Sequence, residues 1–346
     1  MYRMFSRPRL FVASAFAILA AAAAPAGAQT LKTLPPGERP VKVSIGSYLI
    51  DFQEIDENTL SHTMTGYLTL QWRDSRLAKG VTKDFEPEKA TLDQIWSPNI
   101  EITNEHEPRS TSNAELKITD DGRVTYEERF KAKLSTDFDL RRFPFDRQRL
   151  FLGIESFRYD EHDVVFLPQK GKDLRSSFAF LPDWRIVNVT QGSDDDPSNP
   201  DNKVYSRYTF EVDVQRQVGY YVWNVFLPVA FITLLAWLVF FVTPHDIQTR
   251  IGVSMTALLT AIALSLVISS NRPRVSYLTL MDAIFLNCYF LIFMSAAAVV
   301  AAHVMIKSAG NDRGAERLSR VGRVAYPLLW IATNAAILFR FLILIG

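Results

Sequence analysis

The hydrophobic pattern divides the chain in two. From about Thr30 to Gln217 apolar residues alternate with polar ones. Val41, Val43 and Ile45 do so in one stretch; Tyr208, Phe210, Val212 and Val214 alternate with Thr209, Glu211, Asp213 and Gln215 in another. A period of two buries one face of a strand and wets the other. Asp121-Gly122, between Leu116–Thr119 and Val124–Phe130, reads as a hairpin turn. Many short strands without a convincing amphipathic helix predict an all-β, immunoglobulin-like sandwich over residues 29-217. Gln191–Lys203 holds two prolines, a glycine and three consecutive aspartates, and reads as a surface loop between strands.

Four apolar segments follow within 218-346, at about 220-242, 246-270, 277-304 and 324-345. Each exceeds the ~20 residues that cross a bilayer, which predicts a four-helix transmembrane bundle. The second is not uniformly apolar. At about 3.6 residues per turn, Thr249, Gly252, Thr256, Leu259, Ala263, Leu266 and Ser270 share one face. That face is small and hydroxyl-bearing at both ends, with leucine near its middle. It either packs against a neighbouring helix, a common use of small residues in membranes, or meets water.

Charge and composition narrow the picture. Among 346 residues, 38 Lys and Arg balance 37 Asp and Glu, which argues against a nucleic-acid partner. Residues 1-28 look like an export signal: Arg3, Arg7 and Arg9, an apolar run from Leu10 to Ala24, then Ala26-Gly27-Ala28 as the cleavage site. The mature chain then begins at Gln29, and with Cys288 as its one cysteine it relies on packing rather than an internal disulfide. The expected loop 305–323 carries Lys307, Arg313, Arg317, Arg320 and Arg323 against Asp312 and Glu316, which places it on the cytoplasmic side. Four crossings put the sandwich and the C-terminus together on the outer face. Arg272 and Arg274 then lie outside, against the charge rule, on a link placed to touch the sandwich. No GxSxG elbow, phosphate-cradling loop or HExxH is present, and the five histidines lack ligand spacing. No catalytic residue, metal or cofactor is expected. A non-conducting receptor or binding module on a helical anchor is the alternative, though one crossing would anchor it.

Five landmarks occur in order: LRRFPFDRQ, DWRIVNV, a strand ending in Arg216, YYVWNVFLP, and the link Pro273-Arg274-Val275-Ser276-Tyr277. Together they resemble the pentameric ligand-gated ion channels, in particular the bacterial branch of the Cys-loop receptor superfamily. Thr136 and Leu150 stand where eukaryotic members carry the two cysteines. The resemblance implies a homopentamer in a bacterial inner membrane, with the sandwich and the C-terminus periplasmic. The stripe from Thr249 to Ser270 would line a pore for inorganic ions, and a Leu259 ring would gate it by dewetting. Charge selection falls to Asp246, Gln248 and Arg250. Cation-selective relatives usually carry a glutamate just before the basic residue, where this chain has Gln248-Thr249. The preference therefore leans to anions if Arg250 faces the pore; the other option is that Arg250 snorkels behind the helix. An agonist of unknown kind (an amine, a proton or a divalent ion) would bind between neighbouring sandwiches. Tyr67, Phe157 and Tyr205 match aromatic positions of that site, while Thr103 replaces the fourth. Asp194-Asp195-Asp196 would lie in the capping loop, as solvated surface. Coupling to the membrane would run from Arg216 to Asp146 and to Asp56 and Glu57, and onward to Arg272, Pro273 and Arg274. Trp72, Trp96 and Trp184 are expected to fill the core.

Overall fold

The structure, a computed structural model, describes residues 31–82, 85–170, 174–176, 181, 183–197, 203–270 and 274–344. The export signal, Arg272 and Pro273 lie outside the described residues. Among the described residues the alternating half forms nine strands: β1 (Val41–Asp56), β2 (Ser61–Arg73), β3 (Ile100–Ile102), β4 (Glu105–Ile118), β5 (Arg123–Ser135), β6 (Arg147–Ser156), β7 (Val164–Pro168), β8 (Trp184–Asp196) and β9 (Tyr205–Arg216). They make a five-stranded sheet ordered β4-β5-β2-β1-β7 and a four-stranded sheet ordered β3-β6-β9-β8. Inward residues of both sheets, such as Ile45, Leu68 and Phe130 from one and Phe210, Val212 and Val214 from the other, form the core. Trp72 and Trp96 meet edge to face within it, centroids 5.9 Å apart. Tyr208 ties the layers through its hydroxyl, which accepts from the Ser47 N–H (3.0 Å) and donates to Gln191 Oε1 (2.7 Å).

The β4–β5 turn needs Gly122, whose φ is +78° and where a Cβ would strike the Asp74 carbonyl oxygen. Gln191–Asp196, expected to be irregular, instead continue β8 and pair with Phe210 back to Tyr205 on β9. The aspartate run is compatible with a strand because its last member, Asp196, is buried against the Arg207 guanidinium.

Four helices among the described residues are long and apolar enough to cross a membrane. Helix α1 spans Gly219–Phe241 and widens into a π turn over Val222–Phe226, just before Pro228, whose missing N–H cannot donate to the turn below. Helix α2 spans Ile247–Ser270. Helix α3, Leu280–Ala309, starts at a capping box between Thr279 and Asp282 and stops at Gly310, which adopts φ +55°. Helix α4 runs Asp312–Phe339 and passes into a π turn at Arg340–Leu344. The loop expected at 305–323 is thus reduced to Gly310 and Asn311 between the two helices. The basic stretch is helical because it is amphipathic: Ala315 and Ser319 are buried one turn apart while Arg313, Arg317 and Arg320 face outward.

Candidate functional site

Helix α2 packs on α1 and α3 through Arg250, Ser254, Ala257, Ala261 and Ile268, all buried. The opposite face carries the stripe picked out by spacing. Thr249, Gly252, Thr256, Leu259, Ala263, Leu266 and Ser270 are all exposed in the single chain, with Leu259 at 67% and Leu266 at 66%. Of the two expected uses, packing within one chain is therefore removed. Asp246 and Gln248 are exposed at the N-terminal end of the helix.

Arg250 does not join that face. It is 1% exposed and points into the bundle, where Nε donates to the Val239 carbonyl (3.2 Å) and Nη2 to Ser319 Oγ (3.1 Å). The condition behind the anion preference thus fails: the arginine reaches back to α1 and α4 instead of presenting its charge with Thr249.

At the boundary between sandwich and helices the structure assembles a buried charge node. Arg216, last residue of β9, makes a forked pair with Asp146, Nε to Oδ1 at 2.8 Å and Nη2 to Oδ2 at 3.0 Å. Nη1 meets Glu57 Oε1 at 2.7 Å. The side chains of Arg216 and Asp146 are only 3% and 1% exposed. The guanidinium lies 4.1 Å from the Trp184 ring centroid and 4.8 Å from that of Phe143. Burial opposes the Arg216 charge, yet Asp146 and Glu57 hold its pKa above the ordinary value. Burial raises the Glu57 carboxyl, against the pull of Arg216. Asp56, its expected companion, is not a partner. It turns back on its own loop and accepts from the Asn58 N–H (2.9 Å) and the Thr59 hydroxyl (2.8 Å). Trp184, expected only to fill the core, is part of the node.

The loop bearing FPFD reaches the membrane helices. The Leu280 N–H donates to the Arg141 carbonyl (2.8 Å), and the Leu140 N–H donates to the Tyr277 hydroxyl (3.0 Å). Phe145 stacks on Phe226 of α1 at 6.0 Å, and Arg142 Nη2 donates to the Leu342 carbonyl after α4 (3.2 Å). Thr136 and Leu150, at the positions of the absent cysteines, are buried; Gln148 ties the loop between them by donating to the Asp139 carbonyl (2.9 Å) and Asp146 Oδ2 (2.7 Å). Arg274, the described member of the outer link's basic pair, lines a cavity of about 710 Å³ with Asn58, Asp137 and Ser270.

The expected ligand residues fall on two sheets. Ile154 pairs with Tyr208, so three residues further along each strand brings Phe157 level with Tyr205. Phe157 is 67% exposed, whereas Tyr205 is buried at 9%. Thr103 joins the same end of the four-stranded sheet: its N–H donates to the Gly153 carbonyl (2.9 Å), and a Cβ on Gly153 would clash with its hydroxyl. Tyr67 stands apart on β2, paired with Tyr48 and Arg129. One chain thus does not close the box. Beside Tyr205, Arg207 binds both Asp196 and Glu155. Glu101 faces Glu155 across β3–β6, and its carboxyl is raised by burial and by Glu155. The grouping of Glu101, Glu155 and Asp196 around Arg207 was not readable in the sequence, because these residues lie on four separate strands.

Comparison with known proteins matches these features. Residues 31–218 match the neurotransmitter-gated ion-channel ligand binding domain, and residues 225–330 match the neurotransmitter-gated ion-channel transmembrane region. The chain belongs to the neurotransmitter-gated ion channels of the Cys-loop receptor superfamily, a family of channels rather than of enzymes, and is a multi-pass ligand-gated ion channel. It is 28% identical over 325 residues to a proton-gated ion channel of Gloeobacter violaceus, covering 92% of this chain and 88% of that one. It is also similar to a gamma-aminobutyric acid receptor subunit beta-like protein of Drosophila melanogaster, at 28% identity over 74% of this chain, and to a gamma-aminobutyric acid receptor subunit beta of Lymnaea stagnalis, at 26% over 82%. Of those two receptor subunits the matches span 55% and 60% of the length.

Proposed function

We propose that five copies of the chain form a ring in the bacterial inner membrane, with sandwiches and C-termini on the periplasmic side. The α2 stripe from Thr249 to Ser270 lines the central ion path, and Leu259 is its apolar gate. The observation that carries this reading is the stripe itself: seven residues on the face of α2 turned away from its packed residues are exposed in one chain, hydroxyl-bearing near both ends. A symmetric ring turns such a face into a lumen.

The agonist site lies between neighbouring sandwiches. Phe157, Tyr205 and Thr103 come from one chain and Tyr67 from the next. Glu101, Glu155 and Asp196 gather around Arg207 at that end, a cluster of carboxylates that suits a small cation that also stacks on Phe157. Bilayer recording of purified protein during steps of pH, calcium and small amines tests this. Discrete current steps evoked by one of them support it; silence under every condition removes it.

The node of Arg216, Asp146 and Glu57 couples the sandwich to the helices. Its response to acid follows from Glu57. A carboxyl raised above 4.5 disfavours its ionised form in the folded state, so its contribution to stability is present at acid pH and lost as pH rises through the folded value. Acidification therefore neutralises Glu57 while it sits against Arg216 Nη1. Glu57→Gln, locked in a neutral form, is expected to flatten the pH dependence of both melting temperature and current in the window above 4.5. His62 is a poor candidate for the same duty, because burial pushes its imidazole down to about 3. Retention of the full wild-type pH profile in Glu57→Gln would remove Glu57 from this role.

A further inference from the structure

We infer that the inner end of α4, together with the end of α1, forms a docking site for the headgroup of an anionic phospholipid. The inference goes beyond the channel reading. It takes only its leaflet, the cytoplasmic one, from the proposed orientation.

The first observation is a change of character along one side of α4. Arg313, Arg317, Arg320 and Arg323 fall within about a third of the helix circumference, and all four are exposed. None of them forms an ion pair among the described residues. Two carboxylates stand near that side. Asp312 is turned toward His245, 3.8 Å away; Glu316 lies about 10 Å below Arg323 along the axis. From Val324 onward the same side becomes aliphatic, with Val324, Leu328, Ile331 and Leu338 all exposed. The predominantly apolar stretch from Val324 to Ile343 is about 30 Å long at 1.5 Å per residue, which is the thickness of the hydrocarbon layer. Arg323 and Arg320 therefore stand at the depth of the lipid phosphates. Arg313 lies about 15 Å below Arg323, beyond a headgroup layer that is about 5–8 Å thick.

The second observation is that Arg323 is already fixed in place. Its Nε donates to the Phe240 carbonyl (3.0 Å), and its guanidinium lies 5.0 Å from the Phe241 ring centroid. Trp237 meets Phe241 edge to face at 4.9 Å and donates from Nε1 to the Arg323 carbonyl (3.0 Å). Gly322 permits this close seam, since a Cβ there would strike the Phe240 ring. The terminal nitrogens of Arg323 make no hydrogen bond among the described residues. A guanidinium anchored through Nε and free at both Nη groups suits two oxygens of one phosphate. Arg320, one turn below, adds a second positive charge. A zwitterionic headgroup brings its own ammonium beside the phosphate and gains less from such a pair. Basic residues gather at cytoplasmic ends for topological reasons alone, but topology does not require one of them to be clamped to a neighbouring helix. Because α4 packs on α3 and α1, behind the exposed stripe of α2, this side of the bundle is turned toward lipid rather than toward the proposed pore.

The test is native mass spectrometry of the purified full chain after incubation with equal amounts of phosphatidylglycerol and phosphatidylcholine, with size exclusion to confirm assembly of each variant. Wild-type protein is expected to retain phosphatidylglycerol in preference. One arginine near a membrane surface is worth about fivefold in attraction for anionic lipid, so Arg320→Gln and Arg323→Gln should each lower the preference about fivefold. Arg313→Gln removes the same charge out of reach and should keep the preference within about twofold. Arg320 makes no hydrogen bond or ion pair among the described residues, so Arg320→Gln tests the site even if Arg323→Gln fails to assemble. Glycerol 3-phosphate, a headgroup without chains, should not displace the bound lipid. The proposal is overturned by a wild type without preference, by an unchanged preference in Arg320→Gln, or by an equal loss in Arg313→Gln, which would mean diffuse charge. Displacement by glycerol 3-phosphate also overturns it, in favour of a soluble phosphate. Lipid retention is read without current, so a silent protein that still selects phosphatidylglycerol counts against the channel reading alone, and a conducting one without preference counts against this proposal alone.

Discussion

Arg216→Ala is expected to abolish gating and to lower the yield of assembled protein. The substitution leaves Asp146, 1% exposed, and the part-buried Glu57 facing each other without the guanidinium between them. Removing one partner of a buried ion pair typically costs ~3–5 kcal/mol, because the remaining charge is stranded. Here two carboxylates are stranded, and the faces of Trp184 and Phe143 lose the cation stacked between them. The damage falls where β9 hands over to α1, so sandwich movement no longer reaches the helices. Arg216→Lys separates charge from shape: lysine keeps the positive charge but cannot make the forked pair with Asp146 while reaching Glu57. It should recover assembly more than gating. Size-exclusion profiles and agonist-evoked current on both variants check this. Normal assembly and gating in Arg216→Ala would mean that the node is ornamental.

The architecture was legible because its signals are local. A period of two marks strands, and apolar length marks spans. Failures arose wherever an answer depended on residues distant in the chain. Asp56 and Glu57 are neighbours, and alternation alone cannot say which faces inward. Register shifts between Leu49 and Asp51 and between Phe52 and Glu54 reset the alternation of β1 before either is reached. Arg250 next to Thr249 posed the same difficulty on a helix. Its orientation is set by Ser319, 69 residues away on α4. Gln191–Asp196 looked like loop because its polar residues suggested water, while the neutralising Arg207 stood on the partner strand. The aromatic positions were readable singly, but a box shared between two chains cannot be seen in one.

Leu259→Thr is expected to open the pore without agonist and to slow its closing. In the single chain Leu259 is 67% exposed, so the fold does not need its side chain. In the proposed ring, five leucines would form a narrow apolar collar from which water withdraws, and an ion could not shed its hydration to pass. Threonine is shorter, and its hydroxyl can donate back along the helix, as Thr256 does to Gly252, while its oxygen holds water in the lumen. A tenfold shift in the closed-to-open ratio needs only ~1.4 kcal/mol. Burying one leucine is worth about 1.5–3 kcal/mol, and five change together, so the shift should reach at least about tenfold. Ile268→Thr supplies the contrast. Ile268 is 8% exposed and faces the bundle, so its loss should lower thermal stability without opening the pore. Single-channel open probability and a melting curve on each variant distinguish the cases. If Leu259→Thr assembles normally, keeps wild-type open probability and melts at a lower temperature, then Leu259 is packed against a neighbouring helix and the collar lies elsewhere along α2.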